Sequence, residues 1–201
     1  MRIAPRSGST GEVAEAIGKA LREGGGTVDI SPAKDVIELS PYGAVIVGSP
    51  ILYGKWHSQS LKFLKRHQEA LSRIPVAYFI TCMELLSEKK ARDMAVYLDP
   101  SLGRPPQVVG KLSLFEKSHL ISAFIDPVLK KVPQVKPFNV GFFRGKLNYS
   151  KLDFISLLLM KFIWLVYKRA PEGDFRNWEA IRSWVMSLRP ALAETSQEGK
   201  Q

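Results

Sequence analysis

The sequence of 201 residues predicts an α/β fold in which a doubly wound parallel sheet is covered by helices on both faces. Two observations carry this prediction. Short runs that are apolar at nearly every position recur along the chain, as expected for parallel strands buried on both faces. Stretches with the apolar spacing of amphipathic helices lie between these runs. A chain of this length can form one domain with a substantial core.

The predicted elements follow one another along the chain. Strands are predicted where the sequence is largely apolar, at residues 44–48, 76–80 and 140–144, and a short strand is predicted at 27–30, where Val28 and Ile30 alternate with polar residues. Helices are predicted at 12–23, at about 57–71, near 88–98 and over a carboxyl-terminal stripe formed by Trp178, Ile181, Trp184, Val185 and Leu188.

The start of the chain departs from this regular pattern. Only residues 1–5 precede Arg6, Ile3 is the single large aliphatic residue there besides Met1, and Pro5 cannot donate a hydrogen bond to a neighbouring strand. We therefore expect a first strand that is reduced to a stub or has lost part of its start.

We expect a single domain over residues 1–188, with an insertion at about 99–125 and a polar, disordered tail at 189–201. The insertion is inferred from an internal similarity between residues 97–117 and 124–144, in which aspartate, proline and phenylalanine positions coincide. Chance similarity between two proline-rich connections is the alternative.

The charge of the chain points to an anionic partner. Lysine and arginine number 29 against 19 acidic residues, which gives a net charge of +10. Basic residues surround a predicted helix at 152–168, in which the stretch 154–167 is apolar except at Ser156 and Lys161. As a helix this stretch would span ~21 Å, which is short of the ~30 Å membrane core. It is interpreted as a helix lying on an anionic membrane surface, or else as one buried against the domain or a partner subunit.

Other partners and sites have less support. Nucleic acid is disfavoured because the basic residues surround an aliphatic stretch and do not alternate with stacking aromatic side chains. Cys82 is the only cysteine, and His57, His67 and His119 lie far apart in sequence, so neither a disulfide nor a metal site is predicted. The single cysteine and the lack of an apolar signal segment indicate a cytoplasmic protein.

A run of small and hydroxyl-bearing residues stands at the start of the first helix: Ser7, Gly8, Ser9, Thr10, Gly11 and Glu12. One interpretation is a capping box, in which Ser9 caps the helix and Glu12 returns a hydrogen bond. The other is an anion cradle, since backbone N–H groups and hydroxyls at a helix N-terminus bind phosphate. The two interpretations are compatible within one loop.

Two further loops follow predicted strands, at the edge where α/β sheets bind ligands. The first contains glycine, aromatic and basic residues that suit a planar ring: Ser49, Pro50, Ile51, Leu52, Tyr53, Gly54, Lys55 and Trp56. The second offers hydroxyl, backbone and thioether groups: Thr81, Cys82, Met83 and Glu84. The simpler alternative is that Tyr53 and Trp56 only cover the end of the sheet.

Four stretches, taken in order, resemble the flavodoxin domain family and, within it, the menaquinone-dependent protoporphyrinogen oxidases: SGSTGE at 7–12, VIVGSPILYGKWH at 45–57, GFFRGKLNYSKL at 141–152 and PEGDFRNWEAIRSW at 171–184. The resemblance implies a flavodoxin-like fold that binds FMN, with the phosphate at residues 7–12 and the ring at 49–56 and 81–84. It also implies an oxidoreductase that passes electrons from a reduced substrate, protoporphyrinogen, to a quinone at the inner face of the cell membrane. The flavin would carry the redox chemistry, so no catalytic acid or base is assigned.

Two other functions stay open at this point. A soluble flavodoxin-type electron carrier would need no substrate site of its own, although the basic charge and the apolar stretch are unlike the acidic carriers of that family. A flavin-free scaffold acting as an adaptor would follow if the reduced first strand no longer anchors the phosphate-binding loop.

Overall fold

The computed structural model describes residues 1–4, 8–88, 93–104, 112–147 and 172–198. Its strands are β1 (Arg2–Ala4), β2 (Asp29–Ile30), β3 (Val45–Leu52), β4 (Lys55–Trp56), β5 (Val76–Cys82), β6 (Leu85–Leu86), β7 (Ala95–Leu98), β8 (Gly103–Arg104), β9 (Asn139–Arg144), β10 (Lys146–Leu147) and β11 (Gly173–Asp174). Its α-helices are α1 (Ser9–Glu23), α2 (Ser58–Arg66), α3 (Gln68–Leu71), α4 (Leu114–Lys117), α5 (Ile121–Lys131) and α6 (Trp178–Glu198), with a 3₁₀ turn at Ala33–Asp35.

The main sheet has the strand order β2-β1-β3-β5-β9-β7, and every neighbouring pair in this series is parallel. The strands predicted at 27–30, 44–48, 76–80 and 140–144 all lie in it, as β2, β3, β5 and β9. From β1 the chain first forms β2 on one side. It then crosses to form β3 on the other side of β1, which is the arrangement of a doubly wound sheet. The predicted fold class is confirmed.

Side chains alternate between the two faces of the sheet, and each face has its own core. On one face Ile46 and Phe79 pack against α1 and α6, with Trp184 fully buried among them. On the other face Val47 and Tyr78 pack with residues of α2 and α5. Helices therefore cover both faces of the sheet.

The first strand is short and lies second from one edge of the sheet, between β2 and β3. β1 is three residues long and pairs with β2 on one side and β3 on the other. Its middle residue, Ile3, is fully buried and packs in the core beneath α1. The expectation of a strand reduced to a stub is met, and the stub still joins the edge strand β2 to the rest of the sheet.

The helix predicted near 88–98 is wrong. Residues 95–98 form β7, a parallel edge strand beside β9, and residues 89–92 lie outside the described part of the chain. A short apolar run such as Ala95–Leu98 fits a strand and a helix equally well by periodicity. Its β-branched and aromatic residues, Val96 and Tyr97, favour the strand.

Three smaller differences concern boundaries. The helix predicted at 57–71 is divided at His67, which ends α2 and precedes α3. The tail predicted to be disordered from 189 instead continues α6 to Glu198, through Pro190. The two similar segments take different structures, because residues 114–117 form α4 whereas the matching residues 141–144 belong to β9.

No helix among the described residues is both long enough and apolar enough to cross a membrane. The helix predicted at 152–168 lies outside the described residues.

Candidate functional site

The three loops selected from the sequence follow β1, β3 and β5, which are adjacent in the sheet. Register shows how their ends are staggered: Ala4 at the end of β1 pairs with Val47, and Pro50 further along β3 pairs with Thr81. All three strands run in the same direction, so the loops meet at one edge. This edge includes the point between β1 and β3 where the winding of the sheet reverses.

The N-terminus of α1 is capped by Gly8, not by Ser9. Gly8 has φ 83° and ψ −150°, a conformation open almost only to glycine, and Ser9 is the first helical residue. The predicted capping box is therefore wrong: the Glu12 backbone N–H donates to the Gly8 carbonyl at 3.1 Å, while the Glu12 carboxylate pairs with Arg176. Ser7 lies outside the described residues.

This helix start has the features of an anion site. Gly8 has no side chain that could accept a hydrogen bond from the free N–H groups of the first turn. These groups lie at the positive end of the helix dipole. Among the described residues, a Cβ placed on Gly8 would meet no atom within 4 Å, so this part of the structure leaves space beside the turn. Backbone N–H groups that face open space at a helix N-terminus suit a phosphate group.

Thr10 joins this helix to the end of β5. Its hydroxyl lies 2.9 Å from the hydroxyl of Thr81, and the two residues are 2% and 4% exposed. The Thr10 side chain is thus directed into the protein, and not toward the open space beside Gly8. The hydrogen bond holds two of the three candidate loops together.

The second loop is a tight hairpin between β3 and β4. Leu52 pairs with Lys55, and the two residues between them, Tyr53 and Gly54, have φ values of 50° and 73°. Positive φ at both central positions is characteristic of a type I′ turn, whose twist matches that of the flanking strands. Tyr53 is 72% exposed at the tip, and Leu52 is 40% exposed. The hairpin therefore presents an aromatic ring at the site edge of the sheet.

Two other residues of this loop, Ser49 and Trp56, have side chains that are buried in the protein interior. Ser49 is fully buried; its hydroxyl accepts the His57 N–H at 3.0 Å and donates to the Pro50 carbonyl. The Trp56 indole is 5% exposed and meets the Tyr78 ring edge-on, with centroids 5.1 Å apart. Because the indole is in the core, it offers no open face on which a flat ring could stack. Trp56 fits the simpler alternative of an aromatic residue that closes the end of the sheet.

The third loop begins at the end of β5. Cys82 is buried, and burial raises the pKa of its thiol far above the usual range, so the side chain stays protonated and unreactive at neutral pH. Met83 and Glu84 are half-buried and lead into β6. This loop can supply backbone groups to a ligand, while its first two side chains belong to the interior.

A buried carboxylate supports the same edge from the next strands. Asp99 follows β7 and is fully buried. Its carboxylate accepts hydrogen bonds from the Ser101 N–H and hydroxyl at 2.9 and 2.8 Å, and from the Asn177 side chain at 3.3 Å. Asn177 in turn accepts the Ala180 N–H at 3.0 Å in the first turn of α6. Asp99 thereby ties the end of β7 to the start of α6.

Arg176 is the residue of this edge that the sequence did not single out. Its guanidinium donates to Glu12 at 2.6 Å and to both carboxylate oxygens of Asp174, and it lies 4.5 Å from the centre of the Trp178 ring. These hydrogen bonds lower the pKa of Asp174 below its usual value. Arg176 lies within a stretch that carries the family resemblance, but a partner 164 positions away cannot be assigned from sequence alone.

Comparison with known proteins identifies one matching family and relatives of one name from two organisms. A model of the flavodoxin domain matches residues 4–173. Over 189 residues the chain is 32% identical to the protoporphyrinogen IX dehydrogenase (quinone) of Escherichia coli K12, which covers 91% of this chain and 90% of that protein. It is 23% identical over 162 residues to the protein of the same name from Leishmania major, covering 79% of this chain and 58% of that protein.

Two solved structures are similar at lower levels. Rubredoxin oxygen:oxidoreductase from Desulfovibrio gigas matches 96% of this chain and 35% of its own, with a TM-score of 0.46 and 13% identity. A flavodoxin from the domain Archaea matches 72% of this chain and 85% of its own, with a TM-score of 0.36 and 17% identity.

Proposed function

The chain belongs to the flavodoxin domain family. On that premise we propose that it is an oxidoreductase that binds FMN where the carboxyl ends of the sheet strands meet. The observation that carries this proposal is the start of α1, where Gly8 provides no side-chain cap for the first-turn N–H groups and no described residue fills the space at its Cβ position. The phosphate of FMN would be held there by the backbone of residues 8–11. Bound FMN would supply the electron-transfer chemistry.

The chain's own residues would position the ring. The ring of Tyr53, 72% exposed at the tip of the β3–β4 hairpin, would stack on the flavin ring, and Lys55 is exposed beside it. The backbone after Thr81 borders the same edge, and its place relative to α1 is fixed by the bond between Thr10 and Thr81. The residues present fit the group, although Ser49, Trp56 and Cys82 support the site from the interior and do not face a ligand.

Titration of the purified apoprotein with FMN tests this assignment, with two glycine variants as a matched pair. Gly8 and Gly25 have nearly equal φ values, 83° and 87°, and each has open space at its Cβ position. The positive φ makes alanine strained at both positions, but Gly25 follows the far end of α1. We expect Gly8→Ala to raise the Kd for FMN by about tenfold and Gly25→Ala to leave it unchanged.

Two results would contradict the FMN assignment. One is a wild-type apoprotein that shows no flavin quenching or flavin absorbance at any FMN concentration. The other is an equal loss of affinity in the two glycine variants, which would show that strain anywhere in α1 affects binding.

We propose that electrons pass from a porphyrinogen to a quinone. Support comes from the similarity to proteins named protoporphyrinogen IX dehydrogenase (quinone), which extends over 91% of this chain. The test is an anaerobic assay of FMN-loaded protein with protoporphyrinogen and a menaquinone analogue, following porphyrin fluorescence and quinone absorbance together. Porphyrin that appears only when quinone is present supports the pair; a flavin reduced by the substrate but not reoxidised by quinone contradicts the acceptor.

We further propose that the protein acts at the anionic surface of a membrane whose lipid contains the quinone. The support is in the sequence: residues 154–167 are apolar at all but two positions and are flanked by bases such as Lys151 and Lys168. Liposome flotation should show binding that rises with anionic lipid and falls with salt. Lys151→Glu with Lys168→Glu should release the protein, whereas Lys19→Glu with Lys65→Glu, on α1 and α2, should not.

A further inference from the structure

We infer that Arg176 makes the start of α1 selective for a phosphorylated flavin over its unphosphorylated form, by neutralising the carboxylate of Glu12. The inference rests on the proposed function, in which the FMN phosphate binds at this turn. Arg176 acts through Glu12 and is therefore a positioning residue that sets the charge of the site.

The contact is well defined. Glu12 is in the first turn of α1, and its Oε2 lies 2.6 Å from Nη1 of Arg176. The Arg176 side chain is only 4% exposed, because it is held between Asp174, the Trp178 ring and Glu12. Asp174 and the Glu12 carboxylate are partly exposed, at 40% and 52% of their side-chain surface. The guanidinium is thus fixed in place, while the carboxylates are at the surface.

The contact between Arg176 and Glu12 changes the net charge beside the first turn of α1. An acidic side chain in the first turn interacts favourably with the helix dipole, and so does a bound phosphate dianion. The two anions compete for the same positive end and repel each other. Arg176 offsets the Glu12 charge, and a guanidinium with little exposure to water is screened less than a surface charge would be. Without it, the Glu12 carboxylate in the first turn of α1 would lose this ion pair while remaining beside the proposed phosphate position.

Riboflavin separates this effect from a structural one, because it has the same ring as FMN but no phosphate. We expect Arg176→Gln to raise the Kd for FMN by about fivefold at low salt, and to leave the Kd for riboflavin within twofold of wild type. The difference should shrink as salt rises, since screening weakens interactions between charges. Glu12→Gln in the Arg176→Gln background should restore the affinity for FMN, and Arg176→Lys should largely retain it.

A matched control is present on the same two helices. Arg182 of α6 pairs with Glu23 at the far end of α1, with an N···O distance of 3.0 Å. Arg182→Gln removes an ion pair between these helices without changing charge at the helix start. It should alter neither flavin affinity.

The outcomes separate the two proposals. Absence of FMN binding to the wild type overturns both. If the wild type binds FMN but Arg176→Gln weakens FMN and riboflavin equally, or weakens neither, only the role of Arg176 is overturned. If Arg176→Gln does not fold, Glu12→Gln in the wild type decides: a tighter Kd for FMN with an unchanged Kd for riboflavin supports the inference, and any other result overturns it.

Discussion

The hydroxyls of Thr10 and Thr81 lie 2.9 Å apart in the interior and connect the start of α1 with the end of β5. This bond joins elements that are 71 residues apart in sequence. It brings the helix turn with free N–H groups against the strand whose following loop borders the ring position. The relative position of the two loops therefore depends on one buried pair of side chains.

Thr10→Val or Thr81→Val alone should lower the free energy of unfolding by about 1–3 kcal/mol, because each leaves one buried hydroxyl without its partner. The double variant should be more stable than the sum of the single changes predicts, since valine has nearly the same shape and neither hydroxyl remains. Urea unfolding of the apoprotein measures all four stabilities. Strict additivity would show that the two side chains do not interact.

Gly48 illustrates a second close contact, between β3 and β5. A Cβ on Gly48 would lie 2.1 Å from the ring of Phe79, which is fully buried. Gly48→Ala should lower the free energy of unfolding by about 1–3 kcal/mol through overpacking. Gly43→Ala is the control, because Gly43 has open space at its Cβ position. Phe79→Leu should recover part of the loss in the Gly48→Ala background; equal effects at Gly43 and Gly48 would contradict the contact.

Stability should fall at alkaline pH because of two buried acidic groups in β5, Tyr78 and Cys82. Burial raises the pKa of Cys82 and of Tyr78 well above their ordinary values of 9.0 and 10.0. Above pH 9 the unfolded chain loses these protons while the folded protein keeps them. The unfolded state then binds fewer protons, so the free energy of unfolding decreases with pH, by about 1.4 kcal/mol per pH unit for each ionising group.

Urea unfolding between pH 7 and pH 11 checks this dependence. Cys82→Ala should remove the first part of the decrease, and Tyr78→Phe the part that begins near pH 10. The Tyr78→Phe variant should also lose no hydrogen bond, because the hydroxyl is buried without a partner among the described residues. A wild-type profile that is flat up to pH 11 would contradict the burial of both groups.

The sheet could be predicted from the sequence because its strands are buried on both faces. Runs such as Val76–Ile80 are apolar at every position, rich in β-branched and aromatic residues, and as short as a buried parallel strand. The edge strand β7 was missed because it lacks this burial on both faces. Its residues, Val96 to Leu98, are half-buried, and a short run of that kind has no periodicity that separates strand from helix.

The loops of the site could also be located, since they must follow the strands, but the direction of each side chain could not. Trp56 and Tyr53 are both aromatic residues of one loop, yet one is 5% and the other 72% exposed. The difference follows from the hairpin turn, which places Tyr53 at its tip and Trp56 back in the strand pair. Arg176 was missed because its partner Glu12 is near only in the folded chain.

Tyr53 provides the last prediction, because its backbone is strained. A tyrosine with φ 50° occupies the left-handed region, where a residue with a large side chain costs about 1–2 kcal/mol. Asparagine tolerates this conformation better and is common in type I′ turns. Tyr53→Asn should therefore leave the apoprotein as stable as wild type, or more stable by about 1 kcal/mol. Strained backbone conformations cluster at functional sites, so we expect the Tyr53 side chain to contact the proposed ligand.

The contact we expect is stacking on the flavin ring, which FMN and riboflavin share. Tyr53→Asn should raise the Kd for both flavins by about fivefold to tenfold, in contrast to Arg176→Gln, which should affect FMN alone. Tyr53→Phe keeps the ring and the strained turn, so it should bind both flavins like wild type. Fluorescence titration of the three proteins with each flavin makes the comparison. If Tyr53→Asn binds both flavins as tightly as wild type, the hairpin tip does not contact the ring, and the ring must lie against the backbone that follows Thr81.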